Sequence, residues 1–417
     1  MSSCYPSSLS HVRLSFVTLL ATIPSLYFAA PAFARRQPNH PPRPNPTASS
    51  RPDLVTTKAI VQGCTGNATL TVATYNVENF WDDDAANSGA LNYDEYQKNG
   101  SNWYSDSMFD VKAQHVAEAV RLAGAPDVIA MQEFESANNA GRSLDLLKPY
   151  VESMGYKYFA LGQQNPNNPT SVTSAVMSKF PIVKNERLDF FMQESQFTSE
   201  VLHEESLSAM NSSARDPQVV TINVQGNPLR IYTGHWKSKR GNADAGDLMR
   251  LAVAELIKAD IDAQKLANPN LDILVMGDFN AGLNERPLLV GLNSTADKNL
   301  MKADVSSDKM YNLWFELPSS ERCSYMHSGE LQCIDHMLTT SNLFDGKGID
   351  LVEESFQVVG HNGGEAAQKL LKNDGRTPRR WGMSKKNGRT IYTGTGYSDH
   401  LPLIATFKIP SLCKAAP

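Results

Sequence analysis

Long apolar runs are what this 417-residue chain has least of. Beyond its N-terminal segment, no stretch reaches the ~18 consecutive apolar residues that a helix needs to span a bilayer, which excludes an internal transmembrane anchor. No internal repeat is present, which excludes a repeat array. A strong charge of either sign is also missing, since 39 Lys+Arg face 44 Asp+Glu for a formal net charge of -5. That balance excludes no partner, because nucleic-acid binding depends on local basic patches more than on the sum. Cysteine is scarce, with five in all. What remains is enough for one large α/β domain or two modest ones, with 41% hydrophobic residues available for a core.

The N-terminus reads as a unit of its own. His11 and Arg13 precede an apolar stretch, Leu14 to Ala30, and Ala32-Phe33-Ala34 forms the small-x-small pattern of a signal-peptidase site. Residues 1–34 are therefore expected to be a secretory signal, and the protein secreted or periplasmic. Residues 35–58, rich in Pro, Asn and Arg without apolar periodicity, are expected to be a disordered linker. The folded domain is assigned to 59–417. Cys4 would leave with the signal, and the remaining Cys64, Cys323, Cys333 and Cys413 permit three pairings. Cys323 with Cys333 is favoured, because strand-like segments flank the turn Ser328-Gly329. Cys64 with Cys413 would then join the two ends of the domain.

Along the domain, strand-like runs repeatedly deliver polar residues at their tips. Leu70 to Tyr75 alternates as a strand and ends in Asn76-Val77-Glu78-Asn79. A helix is expected from an N-cap at Asp110 to Ala123, with Val111, His115, Ala119 and Leu122 on its buried face. Val128 to Met131 is a buried-type strand followed by Gln132-Glu133. Leu144 to Met154 suits a helix, and Tyr156 to Leu161 and Ser174 to Met177 suit strands. Val219 to Val224 and Leu229 to Thr233 read as a hairpin, running into Gly234-His235-Trp236-Lys237-Ser238-Lys239-Arg240. A helix from Asp244 to about Ala263 leads to Leu271-Asp272-Ile273-Leu274-Val275-Met276-Gly277, and then to Asp278-Phe279-Asn280. This strand, helix and strand form a crossover unit, with Asp278 and Asn280 on one face. Asp335 lies in a later strand, and Ser398-Asp399-His400 opens the last one.

Gathered, these tips present Asn76, Glu78, Glu133, His235, Asp278, Asn280, Asp335, Asp399 and His400. Oxygen donors of this kind suit a hard cation, Mg²⁺ foremost, with Mn²⁺ or Ca²⁺ as substitutes. Two histidines among carboxylates suit proton transfer and stabilisation of a charged phosphorane, and lysines suit phosphate contact. The set reads as metal-assisted phosphodiester hydrolysis.

The motifs Tyr75-Asn76-Val77-Glu78-Asn79, Gln132-Glu133, Gly234-His235, Gly277-Asp278-Phe279-Asn280, Ile334-Asp335-His336 and Ser398-Asp399-His400 stand in one order. In that order the chain resembles the endonuclease/exonuclease/phosphatase superfamily, the deoxyribonuclease I-like fold, over roughly residues 68 to 409. The resemblance implies an α/β (α+β) four-layered sandwich, two mixed β-sheets face to face with helices outside. It implies that Glu133 holds the metal, assisted by Asn76, Glu78 and Asp399, and that Asp278 and Asn280 orient the attacking water and the phosphate. His400, polarised by Asp335, would be general base or charge stabiliser, and His235 would serve the phosphate or the leaving oxygen. Arg215 resembles the family's phosphate-contacting arginine. In one respect the chain departs from the pattern: Thr173 to Met177 lacks the acid that pairs with the second histidine.

The superfamily cleaves DNA, RNA, sphingomyelin and inositol phosphates, so the fold leaves the substrate open. Lys237, Lys239 and Arg240 directly follow His235, as in the His-x-Lys-Ser-Lys of bacterial secreted nucleases. Arg376, Arg379, Arg380, Lys385, Lys386 and Arg389 surround Trp381. That basic and aromatic mix favours a nuclease of little sequence preference acting on DNA, with RNA left open, and the chain is expected to be a monomer. His336 stands where the inositol phosphatases carry an arginine. A sphingomyelinase-like phosphodiesterase, an inositol polyphosphate phosphatase and a non-catalytic secreted binding module are the alternatives. Trp236 and His336 read as packing residues as readily as site residues.

Overall fold

The computed structural model describes residues 68–81, 102–103, 106–135, 142–163, 172–190, 215–239, 243–386 and 389–410. The readings for the leader, the linker, Arg240, Cys64 and Cys413 fall outside them. Among the described residues no helix is long and apolar enough to cross a membrane.

Two mixed sheets carry the fold. The first holds β1 (Thr69–Phe80), β3 (Val128–Glu135), β4 (Tyr158–Leu161), β5 (Val172–Ser178), β15 (Asp350–Leu351), β16 (Gln357–Val358) and β19 (Leu403–Lys408). Its order is β15-β19-β1-β3-β5-β4, with β16 also on β19. Only β1 and β3 run parallel in it. The second holds β6 (Ile182–Arg187), β7 (Gln218–Val224), β8 (Asn227–His235), β9 (Asp272–Asp278), β10 (Ser294–Thr295), β11 (Met310–Asn312) and β14 (Asp335–Thr339). These follow the order β10-β11-β14-β9-β8-β7-β6, and β8 and β9 are parallel as the crossover reading requires. Outside the sheets lie the hairpin β12 (Tyr325–His327) with β13 (Glu330–Gln332), and a small sheet of β2 (Asn102–Trp103), β17 (Met383–Lys386) and β18 (Arg389–Tyr392).

Strand alternation assigns the layers. On β9, Leu274 and Met276 join Leu70, Val72 and Val220 in the core between the sheets. Ile273 and Val275 point the other way, onto Met249, Val253, Ile257 and Ile261 of α3 (Ala243–Ala267). The outer face of the first sheet is covered by α1 (Asp106–Leu122) and α2 (Arg142–Val151). Helix, sheet, sheet, helix is the four-layered sandwich expected.

Local readings differ in three places. Helix α1 begins a turn before Asp110, which lies inside it and accepts from Gln114 and Tyr150. Its buried face is Phe109, Ala113, Val116 and Val120, while Val111, His115 and Leu122 are only half-buried. The β7–β8 turn is tighter than expected, two residues at Gln225 (φ 53°) and Gly226 (φ 95°), which matches the twist of a two-residue hairpin loop. Cys323 and Cys333 flank the β12–β13 hairpin as free thiols, Cys333 Sγ donating to the Arg322 carbonyl at 2.7 Å, so the expected bridge is not formed.

Gly277 fixes how the two parallel strands meet. Its φ is 143°, and a Cβ there would stand 2.2 Å from the Gly234 carbonyl oxygen. Because Gly234 is its register partner, the next pair brings His235 level with Asp278.

At the other end of β9, Asp272 is buried, and its Oδ2 accepts from the Ile349 N–H at 2.7 Å. Burial pushes its carboxyl up to about 7 against the single hydrogen bond. The folded value exceeds the ordinary 3.8, so its contribution to stability is fully present below pH 3.8 and lost as pH rises through 7. Asp272→Asn keeps an acceptor for Ile349 and removes the buried charge. It is expected to raise the urea midpoint at pH 8 and leave it unchanged at pH 3.5; equal shifts at both would refute the linkage.

Candidate active site

Backbone irregularities at the tips of β1 and β3 aim the first group of side chains. The parallel register of these strands slips between Asn76 and Phe80, and the β3–β5 register slips between Met131 and Phe134. Glu78 (φ 55°), Asn79 (φ 50°) and Glu133 (φ 65°) take the left-handed conformation there. Asn280 does so beyond β9 (φ 48°). Each such non-glycine residue costs on the order of 1 kcal/mol, and strain of this kind concentrates at functional sites.

One rung of the second sheet supplies the next group. His235 of β8, Asp278 of β9 and Asp335 of β14 are mutual register partners. Residues on one rung share a face, here the one toward the first sheet. His400, three residues before β19, closes the cluster: its Nδ1 lies 2.8 Å from Asp335 Oδ2 and its Nε2 3.7 Å from Asp278 Oδ2. His235 Nε2 is 3.5 Å from the same Asp278 oxygen. Asp278 thus sits between two imidazoles, with the Asn280 N–H on its Oδ1 at 2.9 Å. Asn280 also gives its amide N–H to the Trp236 carbonyl at 3.2 Å.

The two histidines are held in opposite states. Burial would lower His400, but the charge and hydrogen bond of Asp335, with Asp278 and Asp399, outweigh it and hold His400 well above 6.5. Burial, helped by Arg215 and His400, pulls His235 well below 6.5. Its Nδ1 has no hydrogen-bond partner and stands 3.7 Å from Glu133 Oε1. No acid from Thr173 to Met177 opposes that shift. Burial pushes Asp278 up to about 7, with His400 opposing.

Ligand atoms of Asp278, Asp335 and His400 lie within 4.8 Å of one another, close enough to hold a metal ion. Most of their polar atoms are engaged by each other, by Ser324, by Asn280 and by Asn76, while Asp335 Oδ1 has no partner. Two further carboxylates lie beside them, Glu133 accepting from the Asn76 amide and the Asn79 N–H. Glu133 and Asp399 keep 18% and 20% of their side chains exposed and offer oxygen donors. Asn76 turns its amide nitrogen to Glu133 Oε1 (3.1 Å) and Asp278 Oδ2 (3.0 Å), and its oxygen accepts from the Glu78 N–H (3.0 Å). In this arrangement it orients carboxylates as a donor. Glu78 is buried and bound by the Arg380 guanidinium and the Trp381 N–H. Arg380 Nη2 also reaches Asp399 Oδ2 at 3.6 Å.

Behind this group stands a residue that the sequence reading missed. Lys112 of α1 is fully buried, donates to the Tyr397 carbonyl at 2.6 Å and lies 5.0 Å over the Trp381 ring. Burial lowers it to about 8 while Glu78, Asp399 and Glu133 oppose the shift. Burial and Asp399 raise Glu78 to about 7. The signal was present: Lys112 falls three residues after Phe109 and four before Val116, inside the apolar stripe of the helix.

The expected substrate-binding residues are less concentrated. Half-buried Arg215 places Nη1 3.5 Å from the Trp236 carbonyl. Lys237 is half-buried beside His235, whereas exposed Lys239 pairs with Glu285 at 2.5 Å. Of the later basic cluster, Arg379 binds the Gln368 and Leu371 carbonyls, Arg376 is exposed, and Arg380 enters the site. The side chains of Lys385, Lys386 and Arg389 lie outside the described ones. Trp236 is buried and stacked on Phe279 at 4.0 Å, and His336 is buried between Ala281 and Asn312. Both pack the core.

Residues 71–408 match the Endonuclease/Exonuclease/phosphatase family. No curated protein matches the chain. Among solved structures, sphingomyelinase C from Streptomyces griseocarneus is 17% identical with a TM-score of 0.47, over 81% of this chain and 99% of that one. Truncated TDP2 of Caenorhabditis elegans is 13% identical with a TM-score of 0.45, over 82% and 97%. An endonuclease/exonuclease/phosphatase family protein of Bacteroides thetaiotaomicron is 14% identical with a TM-score of 0.45, over 83% and 99%.

Proposed function

Because the chain belongs to the endonuclease/exonuclease/phosphatase family, we propose that it is a metal-dependent phosphodiester hydrolase acting on nucleic acid with little sequence preference. The observation that carries this reading is Asp278 set between two buried histidines, His235 at 3.5 Å and His400 at 3.7 Å, beside the carboxylates of Glu133 and Asp399. Asp278, with Asn280, orients the attacking water and draws its proton as the oxygen bonds to phosphorus. The P–O3′ bond breaks opposite the incoming oxygen, and the leaving 3′ oxygen takes up a proton from solvent. His400, an imidazolium fixed by Asp335, stabilises the charge that builds on the phosphoryl oxygens. Neutral His235 donates one hydrogen bond to the phosphate. A bound cation, Mg²⁺ foremost, adds electrostatic stabilisation of the phosphoryl group, and Glu133 and Asp399 would hold it, with Glu78 and Asn76 behind them.

A polyanionic substrate such as nucleic acid is supported by the cations that border the cluster, Arg215 and Lys237, while Arg380 is engaged by Glu78 and Asp399. The N-terminal segment supports a secreted or periplasmic setting for the reaction. The test is release of acid-soluble nucleotides from DNA and from RNA by the purified chain, with sphingomyelin and an inositol polyphosphate in parallel. Nucleotide release that chelator abolishes and Mg²⁺ restores is expected. Intact nucleic acid with a hydrolysed lipid or inositol phosphate would move the substrate, and chelator-resistant release would remove the metal.

A further inference from the structure

The hairpin β12–β13 touches the Asp335–His400 pair on several sides, through residues that none of the sequence motifs contains. Ser324, just before β12, is fully buried, and its hydroxyl donates to Asp335 Oδ2 at 2.6 Å. The same oxygen receives His400 Nδ1 at 2.8 Å, while Asp335 Oδ1 is buried without a partner. One carboxylate oxygen therefore carries both bonds. With two donors on Oδ2, rotation of the carboxylate breaks two charge-assisted bonds; with one donor, Oδ1 can take its place at little cost.

The backbone of Ser324 is held as tightly as its side chain. Its N–H donates to the Gln332 carbonyl at 3.1 Å, and its carbonyl accepts from the Leu401 N–H at 2.8 Å. The next residue, Tyr325, forms a β-bridge with His400 and lays its ring on the imidazole, with centroids 4.4 Å apart at 28°. Ser324 cannot follow Asp335 if the carboxylate turns. It fixes the carboxylate from a frame that also carries the wall of the imidazole.

We propose that Ser324 is a positioning residue, the third member of a Ser324–Asp335–His400 chain in which its hydroxyl locks Asp335 so that His400 faces Asp278. This role rests on the hydrolytic reading given above, and its experiment includes a measurement that needs no substrate. In the substrate-free protein, the His400 Nδ1 proton is followed as a low-field imidazole resonance by NMR, assigned by its loss in His400→Ala. Ser324→Ala is expected to shift or broaden that resonance and to lower kcat about 10- to 100-fold with KM within twofold, matching the loss of a hydrogen bond to a charged group. Ser324→Thr, which keeps the hydroxyl, is expected to restore both. If Ser324→Ala does not fold, the near-isosteric Ser324→Cys carries the same comparison. An unchanged resonance, or a Ser324→Thr variant as impaired as Ser324→Ala, overturns the proposal. If the wild-type chain is inert on nucleic acid, a resonance that responds to Ser324→Ala and recovers in Ser324→Thr still supports the positioning role, and only the substrate reading falls.

Discussion

His400→Ala is expected to lower kcat for phosphodiester cleavage by about 10³-fold while leaving KM within a few-fold. In the proposed reaction His400 supplies positive charge to the phosphoryl oxygens, and Asp335, 2.8 Å from its Nδ1, holds its pKa up. With the imidazole gone, Asp335 keeps its Ser324 hydrogen bond, so its charge is not stranded. The fold should persist, as circular dichroism at the working temperature checks. His235→Gln is the informative companion. A neutral ring that donates one hydrogen bond is replaced by a neutral amide that also donates, so a loss nearer 10-fold is expected. If His235→Gln costs as much as His400→Ala, the two histidines share the proton work and the assignment of opposite states is wrong. If His400→Ala retains near-normal kcat, the whole cluster is misread.

What sequence could tell about this site follows from which interactions are local. Asp278 was legible because the apolar run ending at Gly277 announced a strand with a polar tip, whereas Asn280 lies beyond β9 in the left-handed conformation, where strand alternation no longer holds. The shared rung of His235, Asp278 and Asp335 was not, since register across β8, β9 and β14 joins residues up to 100 positions apart. The crossover reading supplied the parallel pair, but only the Gly234–Gly277 contact shows how close the strand tips come. The bulges that aim Glu78 and Glu133 left no mark in composition, because both are non-glycine residues in a glycine-like conformation. The basic cluster around Trp381 was visible, yet its charge suggested a surface for polyanions. Arg380 instead spends its guanidinium on Glu78 and Asp399, an ion pair spanning 302 positions. Ser324 had no motif at all, and reads as one more turn serine until the hairpin is folded onto Asp335.

Lys112→Met is expected to destabilise the metal-free protein by about 1–3 kcal/mol at pH 7, the scale of losing a buried, charge-assisted hydrogen bond. Methionine fills most of the lysine volume, so little of the loss comes from packing. The cost lies with the carboxylates. The charges of Glu78, Asp399 and Glu133 all act on Lys112, and Arg380 pairs with Glu78 and Asp399. Removal of the buried cation leaves Glu78, itself buried, with Arg380 alone, whose side chain is 49% exposed. Two comparisons separate this charge account from a packing one. Adding Glu78→Gln to Lys112→Met should return most of the lost stability, because the uncompensated charge goes with it, and the pair should be strongly non-additive in urea denaturation. Millimolar Mg²⁺ should restore the single variant more than it stabilises the wild-type chain, by supplying the missing positive charge. A loss under ~1 kcal/mol, or a double variant whose loss is the sum of the singles, would make Lys112 a packing residue and leave Arg380 as the counterion of these carboxylates.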